Sequence, residues 1–217
     1  SLFQISTLTA LYDGIYDGDE DLSAIKGKGN FGIGTFQGLD GEMVVLDGIF
    51  YLIDVNGNVK TDIENMKIPF INLVPLNIEQ SYQSSIEFNN ISDLTDIIKD
   101  KIHGEKYIYA IKIDGTFETI TCRSVKKQEK PYPPISEVIK NQSIFQDSEK
   151  RGTVVGFYFP EFMSPINTSG IHFHFIDSSK TFGGHLLEIK GKEIKISIDR
   201  VESMEIKMLK NNNYTGE

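Results

Sequence analysis

The stretch Gly170-Ile171-His172-Phe173-His174-Phe175, followed at a short distance by Gly183-Gly184-His185, decides how this chain is read. His172 and His174 alternate strictly with Ile171, Phe173 and Phe175. That is the period of a β-strand, on which residues i and i+2 share a face. Both imidazoles then point one way, and the aromatic rings fill the core behind them. The segment from Asp177 to Gly184, rich in Ser, Lys and Gly, reads as a hairpin loop that returns His185 on a neighbouring strand. Three of the four histidines therefore fall within fourteen residues. A lone histidine is most often a surface or satisfied core group. Three converging neutral imidazoles instead make a metal site for zinc, copper or iron with room left for a substrate.

Strand-like patterns continue on both sides. NFGIGTFQGL from Asn30, a turn at Asp40-Gly41, EMVVLDGIFYLI and a turn at Asn56-Gly57 predict a β-meander. YIYAIKIDG, closed by Asp114-Gly115, and TFETITCRSV predict two more strands. Further strands are expected over Gly152 to Phe159, His185 to Ile189 and within Glu193 to Met208. Helices are few. Ser6 to Tyr16 carries Leu8, Leu11 and Ile15 behind Ser6 or Thr7 as N-cap. Ile91 to Ile102 carries Leu94, Ile97, Ile98 and Ile102, with Ser92 and Asp93 as its cap, and Ile135 to Asn141 is a short third helix. His103 then reads as a C-terminal cap interaction. Sheets with scattered helices indicate α+β. Pro131, Pro133 and Pro134 mark Lys130 to Pro134 as a linker, which gives an N-terminal α+β unit over 1–130 and a C-terminal, metal-binding one over 131–217.

At 217 residues with 39% apolar content and fourteen Phe, the chain can bury a substantial core. Its formal net charge of -9 argues against nucleic acid and against an anionic membrane surface as partners. The one basic cluster, Lys126-Lys127 to Lys130, is small and interrupted. A single cysteine, Cys122, excludes an intrachain disulfide and fits a reducing, cytoplasmic location, although a removed leader would leave no trace. No apolar run approaches the roughly twenty residues that span a bilayer. YDGDEDLS does not match a calcium loop at its Gly and closing Glu positions. FGIGTF is not followed by a helix, so it is not a dinucleotide fingerprint, and no thiamine diphosphate signature is present.

STLTALYDGIYDGD, FGIGTF, LDGEMVVLDG, QEKPY, GTVVGFYFPEF and GIHFHF with FGGH, in that order, resemble the bacterial acetolactate decarboxylase family from Gln4 to about Ile198. The resemblance implies a zinc enzyme that converts 2-acetolactate to acetoin and carbon dioxide. It also implies two β-rich α+β subdomains with the zinc on the C-terminal one, and a homodimer. Carried over by position, the zinc ligands are His172, His174 and His185, the catalytic glutamate is Glu42, the active-site arginine is Arg123, and the substrate-side threonine is Thr35. A further catalytic glutamate of the family's C-terminal tail has only a poor match here, Glu217. Without the resemblance, Glu42 reads as a solvated acid after a turn, Arg123 as a surface strand charge, and Thr35 as a strand former.

The implied chemistry suits these residue types. Loss of carbon dioxide from a β-keto acid pushes an electron pair into the adjacent carbonyl, and a three-histidine zinc can act as Lewis acid on the resulting enediolate. A carboxylic acid such as Glu42 can return the proton, and the Arg123 fork suits a carboxylate or enediolate. Two other assignments share the histidine pattern. A cupin-like iron or manganese enzyme would add a carboxylate such as Asp177, and a structural zinc would be closed by Asp177 or Glu188.

Overall fold

The computed structural model describes residues 1–102 and 104–210, so His103 and Glu217 lie outside the described residues. The first part of the chain folds as β1 (Leu2–Ile5), α1 (Leu8–Tyr12), β2 (Glu20–Asp21), α2 (Leu22–Ile25), β3 (Phe31–Thr35), β4 (Glu42–Leu46), β5 (Ile49–Ile53), β6 (Val59–Lys60), β7 (Lys67–Ile68) and β8 (Phe70–Val74). The second part follows with β9 (Gln80–Ser84), α3 (Ile91–Lys99), β10 (Ile108–Ser124), α4 (Ile135–Val138), β11 (Ser143–Phe159), β12 (Gly170–Asp177), β13 (Gly183–Gly191), β14 (Ile194–Val201) and β15 (Met204–Lys207).

Two sheets dominate. The first has the order β15-β1-β8-β3-β4-β5-β6; the second has the order β11-β12-β13-β10-β14-β9, and β11 also pairs with β10. Because β10 pairs with β11 and β13 while β12 pairs with both of those, these four strands close on themselves as a small barrel. The fold is sheet-rich with few helices, as expected. The division of the chain is not the expected one. The crossing between sheets falls between β8 and β9, not at Lys130-Pro131; β10, on the N-terminal side of that linker, is central to the second sheet, and β15 returns to the first as a parallel partner of β1. The prolines mark a loop joining two strands of one sheet.

Alternation along β4 explains how the sheets pack. Met43 and Val45 face one core with Phe3, Ile71 and Leu73. Val44 and Leu46 face the barrel, where they meet Val155, Phe157 and Ile176. Phe173 and Phe175, the odd-numbered neighbours of the histidines, point into the barrel core. At roughly 1.5–3 kcal/mol per buried large apolar side chain, these three clusters are the main favourable term for the fold.

Several local expectations are revised. EMVVLDGIFYLI is a hairpin and not one strand: Asp47 (φ 53°) and Gly48 (φ 78°) both take left-handed conformations, the requirement of a tight two-residue turn. Conversely, Asp114-Gly115 makes no turn and β10 runs through it for 17 residues. The dipeptide instead lies where one edge of β10 exchanges partners, β14 up to Asp114 and β13 from Phe117. β11 begins at Ser143, nine residues before the expected Gly152, because its polar first half is laddered to β10. α3 is capped by Asn90, whose side chain accepts from Asp93 N–H, and not by Ser92 or Asp93. No helix among the described residues is long and apolar enough to cross a membrane.

Candidate functional site

The site is built where β4 of the first sheet faces the barrel. Register places its barrel members side by side: Arg123 of β10 opposes His185 of β13, and His185 opposes His174 of β12. His172 lies two residues along the same face. The three imidazole centroids are 5.0–5.3 Å apart. Their candidate ligand nitrogens all lie within 4.8 Å of one another, and this trio is the group of metal-competent side chains found among the described residues.

Burial sets their protonation. Desolvation lowers the pKa of His172 to about 4 and holds those of His174 and His185 well below the usual imidazole range, reinforced by the Arg123 charge at all three and by mutual repulsion at His174 and His185. All three are therefore neutral near pH 7, the form that offers a lone pair to a metal. His174 Nδ1 donates to the Met43 carbonyl at 2.7 Å, which fixes its tautomer and leaves Nε2 facing the site. Nδ1 of His172 and Nδ1 of His185 are buried with no hydrogen-bond partner. Leaving such groups unsatisfied costs about 1–3 kcal/mol each. Three neutral nitrogen donors, two of them with orphaned ring atoms, fit a bound metal ion.

Glu42 comes from the opposite wall. Its even-numbered place on β4, in step with Val44 and Leu46, turns it toward the barrel. Its Oε1 is 3.4 Å from Arg123 Nη1 and its Oε2 is 3.5 Å from His174 Nε2. Burial raises its pKa to about 7, against a smaller lowering by Arg123. A carboxyl in this state can hold or release a proton near neutrality. Glu42 is thus a buried partner of Arg123 and His174 and not a solvated turn acid, and Arg123 is not a surface charge.

The approach to Glu42 needs glycine at position 41. Gly41 has φ +78°, and a Cβ there would stand 2.3 Å from the Ile53 carbonyl oxygen. Thr35 pairs with Glu42 across β3 and β4, and its hydroxyl donates to the Gly41 carbonyl at 2.8 Å. Its proton is committed to the loop that leads into Glu42, and the residue lines the cavity. The two carboxylates considered as extra ligands are engaged elsewhere. Asp177 accepts from the backbone N–H groups of Thr181 and Phe182, and Glu188 accepts from Ile91 N–H.

These groups line a cavity of about 500 Å³. Its polar end holds the three histidines, Glu42, Arg123 and Thr35. Its remaining wall is mostly apolar and includes Leu8, Leu11, Phe70, Ile91, Ile135 and Leu187, with Tyr12, Thr95 and Thr168 among them. Sequence patterns read Leu8, Leu11 and Ile91 only as helix positions, because an apolar helix face looks the same whether it meets core or cavity. Met43 contributes a backbone carbonyl, which has no sequence signature.

Comparison with known proteins places the whole chain among relatives. The family model described as alpha-acetolactate decarboxylase matches residues 2–217. The alpha-acetolactate decarboxylase of Bacillus subtilis strain 168 is 36% identical over 207 residues, which cover 95% of this chain and 81% of that protein. That of Methanosarcina mazei is 36% identical over 198 residues, covering 91% of this chain and 68% of that protein. The crystal structure of the Bacillus subtilis strain 168 protein superposes with a TM-score of 0.94 at 35% identity, covering 98% of this chain and 91% of that one.

Proposed function

The chain belongs to the alpha-acetolactate decarboxylase family, and from that premise we propose that it converts 2-acetolactate to acetoin and carbon dioxide with zinc held by His172, His174 and His185. The observation that carries this reading is the convergence of a three-imidazole cluster with a buried carboxyl and an arginine in one cavity. Zinc would supply Lewis acidity toward the oxygen on which negative charge develops. The other steps rest on the chain's own residues. Arg123, always charged and with a planar fork, orients the substrate and favours the charge that builds as the carbon–carboxylate bond breaks. A tight grip on the departing carboxylate alone would favour the ground state, so its contribution must grow along the reaction. The electron pair of that bond enters the neighbouring carbonyl and gives an enediolate. Glu42 then delivers the proton on its carboxyl oxygen to the carbon that lost carbon dioxide, completing acetoin. Thr35 holds the Gly41 carbonyl and so fixes the backbone that presents Glu42. The apolar wall keeps bulk water from competing as proton donor.

A structural-zinc role is disfavoured because Asp177 and Glu188, the carboxylates that would close the site, are turned to other partners. The same placement of Asp177 disfavours a cupin-type ligand set. Acetoin formation from racemic acetolactate should vanish on chelation and return with zinc. Protein purified without added metal that carries iron and consumes oxygen would overturn the reading.

A further inference from the structure

Two walls of this site belong to different sheets, and their contact is largely apolar. Val44, Ile53 and Leu2 press on Val155, Phe157 and Ile176. Apolar contact resists separation but is non-directional, so it does little to stop one sheet from sliding over the other. Directional bonds across the seam must set the register. Beside the contacts that Glu42 makes with Arg123 and His174, two hydrogen bonds among the described residues cross the seam close to the chemistry. His174 Nδ1 donates to the Met43 carbonyl, and Ser124 Oγ donates to the Ile53 carbonyl at 2.9 Å with both groups buried.

The placement of the Ser124 bond is specific. Ser124 is fully buried, and it directly follows Arg123 at the end of β10. Ile53 is the cross-strand partner of Glu42, and its carbonyl oxygen is the atom on which Gly41 closes. One hydroxyl thus links the backbone beside the arginine to the backbone beside the carboxyl.

We propose that Ser124 is a positioning residue that sets the spacing between Arg123 and Glu42 by tethering β10 to the Ile53 carbonyl of β5. The proposal rests on the decarboxylase reading of the site, since spacing matters only if the two side chains act on one substrate. The three histidines sit on β12 and β13, and the Ser124 hydroxyl bonds to none of them, although His185 pairs with Arg123 across the β10–β13 ladder. Zinc affinity and turnover are therefore measured separately. A displacement of about 1 Å in a reacting geometry can cost on the order of 10²-fold in rate.

The test compares Ser124→Ala with Ser124→Thr, which keeps a hydroxyl at the same place. Turnover is counted per bound zinc, and zinc affinity is measured by chelator competition. For Ser124→Ala the expected result is a fall in kcat of roughly 10-fold or more, with KM and zinc affinity within about twofold of wild type. Ser124→Thr should recover most of the lost kcat. A residue that only stabilised the fold would lower the active fraction and leave turnover per bound zinc unchanged; that result for Ser124→Ala would overturn the proposal. So would equal losses in both variants. Failure of the decarboxylase reading would show separately, as no acetoin from the zinc-loaded wild type.

Discussion

Replacing Glu42 by Gln should raise stability and destroy turnover together, and the structure sets the size of both effects. Burial lifts the folded-state pKa of Glu42 from 4.5 to about 7. An acid with a raised folded pKa is penalised by ionisation in the native state. The penalty is absent below pH 4.5, where both states are protonated, grows between pH 4.5 and 7, and is complete above pH 7. At about 1.4 kcal/mol per pH unit, it reaches about 3 kcal/mol at pH 8. Glu42→Gln keeps the shape and removes the charge, so metal-free variant and wild type should melt alike near pH 4.5. At pH 8 the variant should melt higher, by about 2–4 °C for each kcal/mol in a domain of this size. The comparison needs metal-free protein, because a cation beside Glu42 would favour its ionised form. Zinc-loaded Glu42→Gln should retain its metal and lose roughly 10²–10⁴-fold in acetoin formation, the usual contribution of a positioned acid. A variant less stable than wild type at pH 8 would refute the burial argument. One with near-wild-type turnover would remove Glu42 as proton donor.

His174→Ala should abolish zinc binding and activity, read by metal analysis and acetoin assay. It also leaves the Met43 carbonyl without its donor, at a cost of about 1–3 kcal/mol seen in thermal melts. Gly41→Ala should destabilise the protein and lower kcat, because the added methyl would meet the Ile53 carbonyl oxygen at 2.3 Å in a left-handed backbone. A stable, fully active Gly41→Ala would show that this loop adjusts freely. Metal-free protein should gain stability as pH rises from about 4 to 6.5: the His172 pKa is depressed to about 4, so the unfolded chain binds more protons across that window. Glu42 opposes this above pH 4.5, but His174 and His185 act with His172, and the net slope in a pH series of melts should be positive.

The sheet-rich character of the fold was legible because period-two alternation survives in isolation, as in Ile171 to Phe175. The organisation of the chain was less so. Asp114-Gly115 has the composition of a hairpin turn, yet β10 continues through it, since a long strand can carry a glycine where its neighbour changes and Ile194 packs close. Asp47-Gly48 has the same composition and does turn. The difference lies in what pairs beyond each dipeptide, which is long-range information. The prolines from Pro131 to Pro134 forbid a central strand locally, but they cannot say whether the strands on either side belong to one sheet or two.

Legibility of the site divides along the same line. His172, His174 and His185 share one hairpin, so their convergence follows from local alternation and a short loop. Glu42 and Arg123 come from different sheets, and no spacing within the chain brings them together; only resemblance to a family pointed to both. One part of their geometry was nonetheless implicit in the pattern. Glu42 is in phase with Val44 and Leu46, so once β4 packs against the barrel the carboxyl must be buried with them, and burial is what raises its pKa. A carboxylate in phase with the core-facing side of a strand is costly unless something in the fold answers it. Here Arg123 answers it only in part, which is why the strand register and the proton chemistry of this site have a single physical origin.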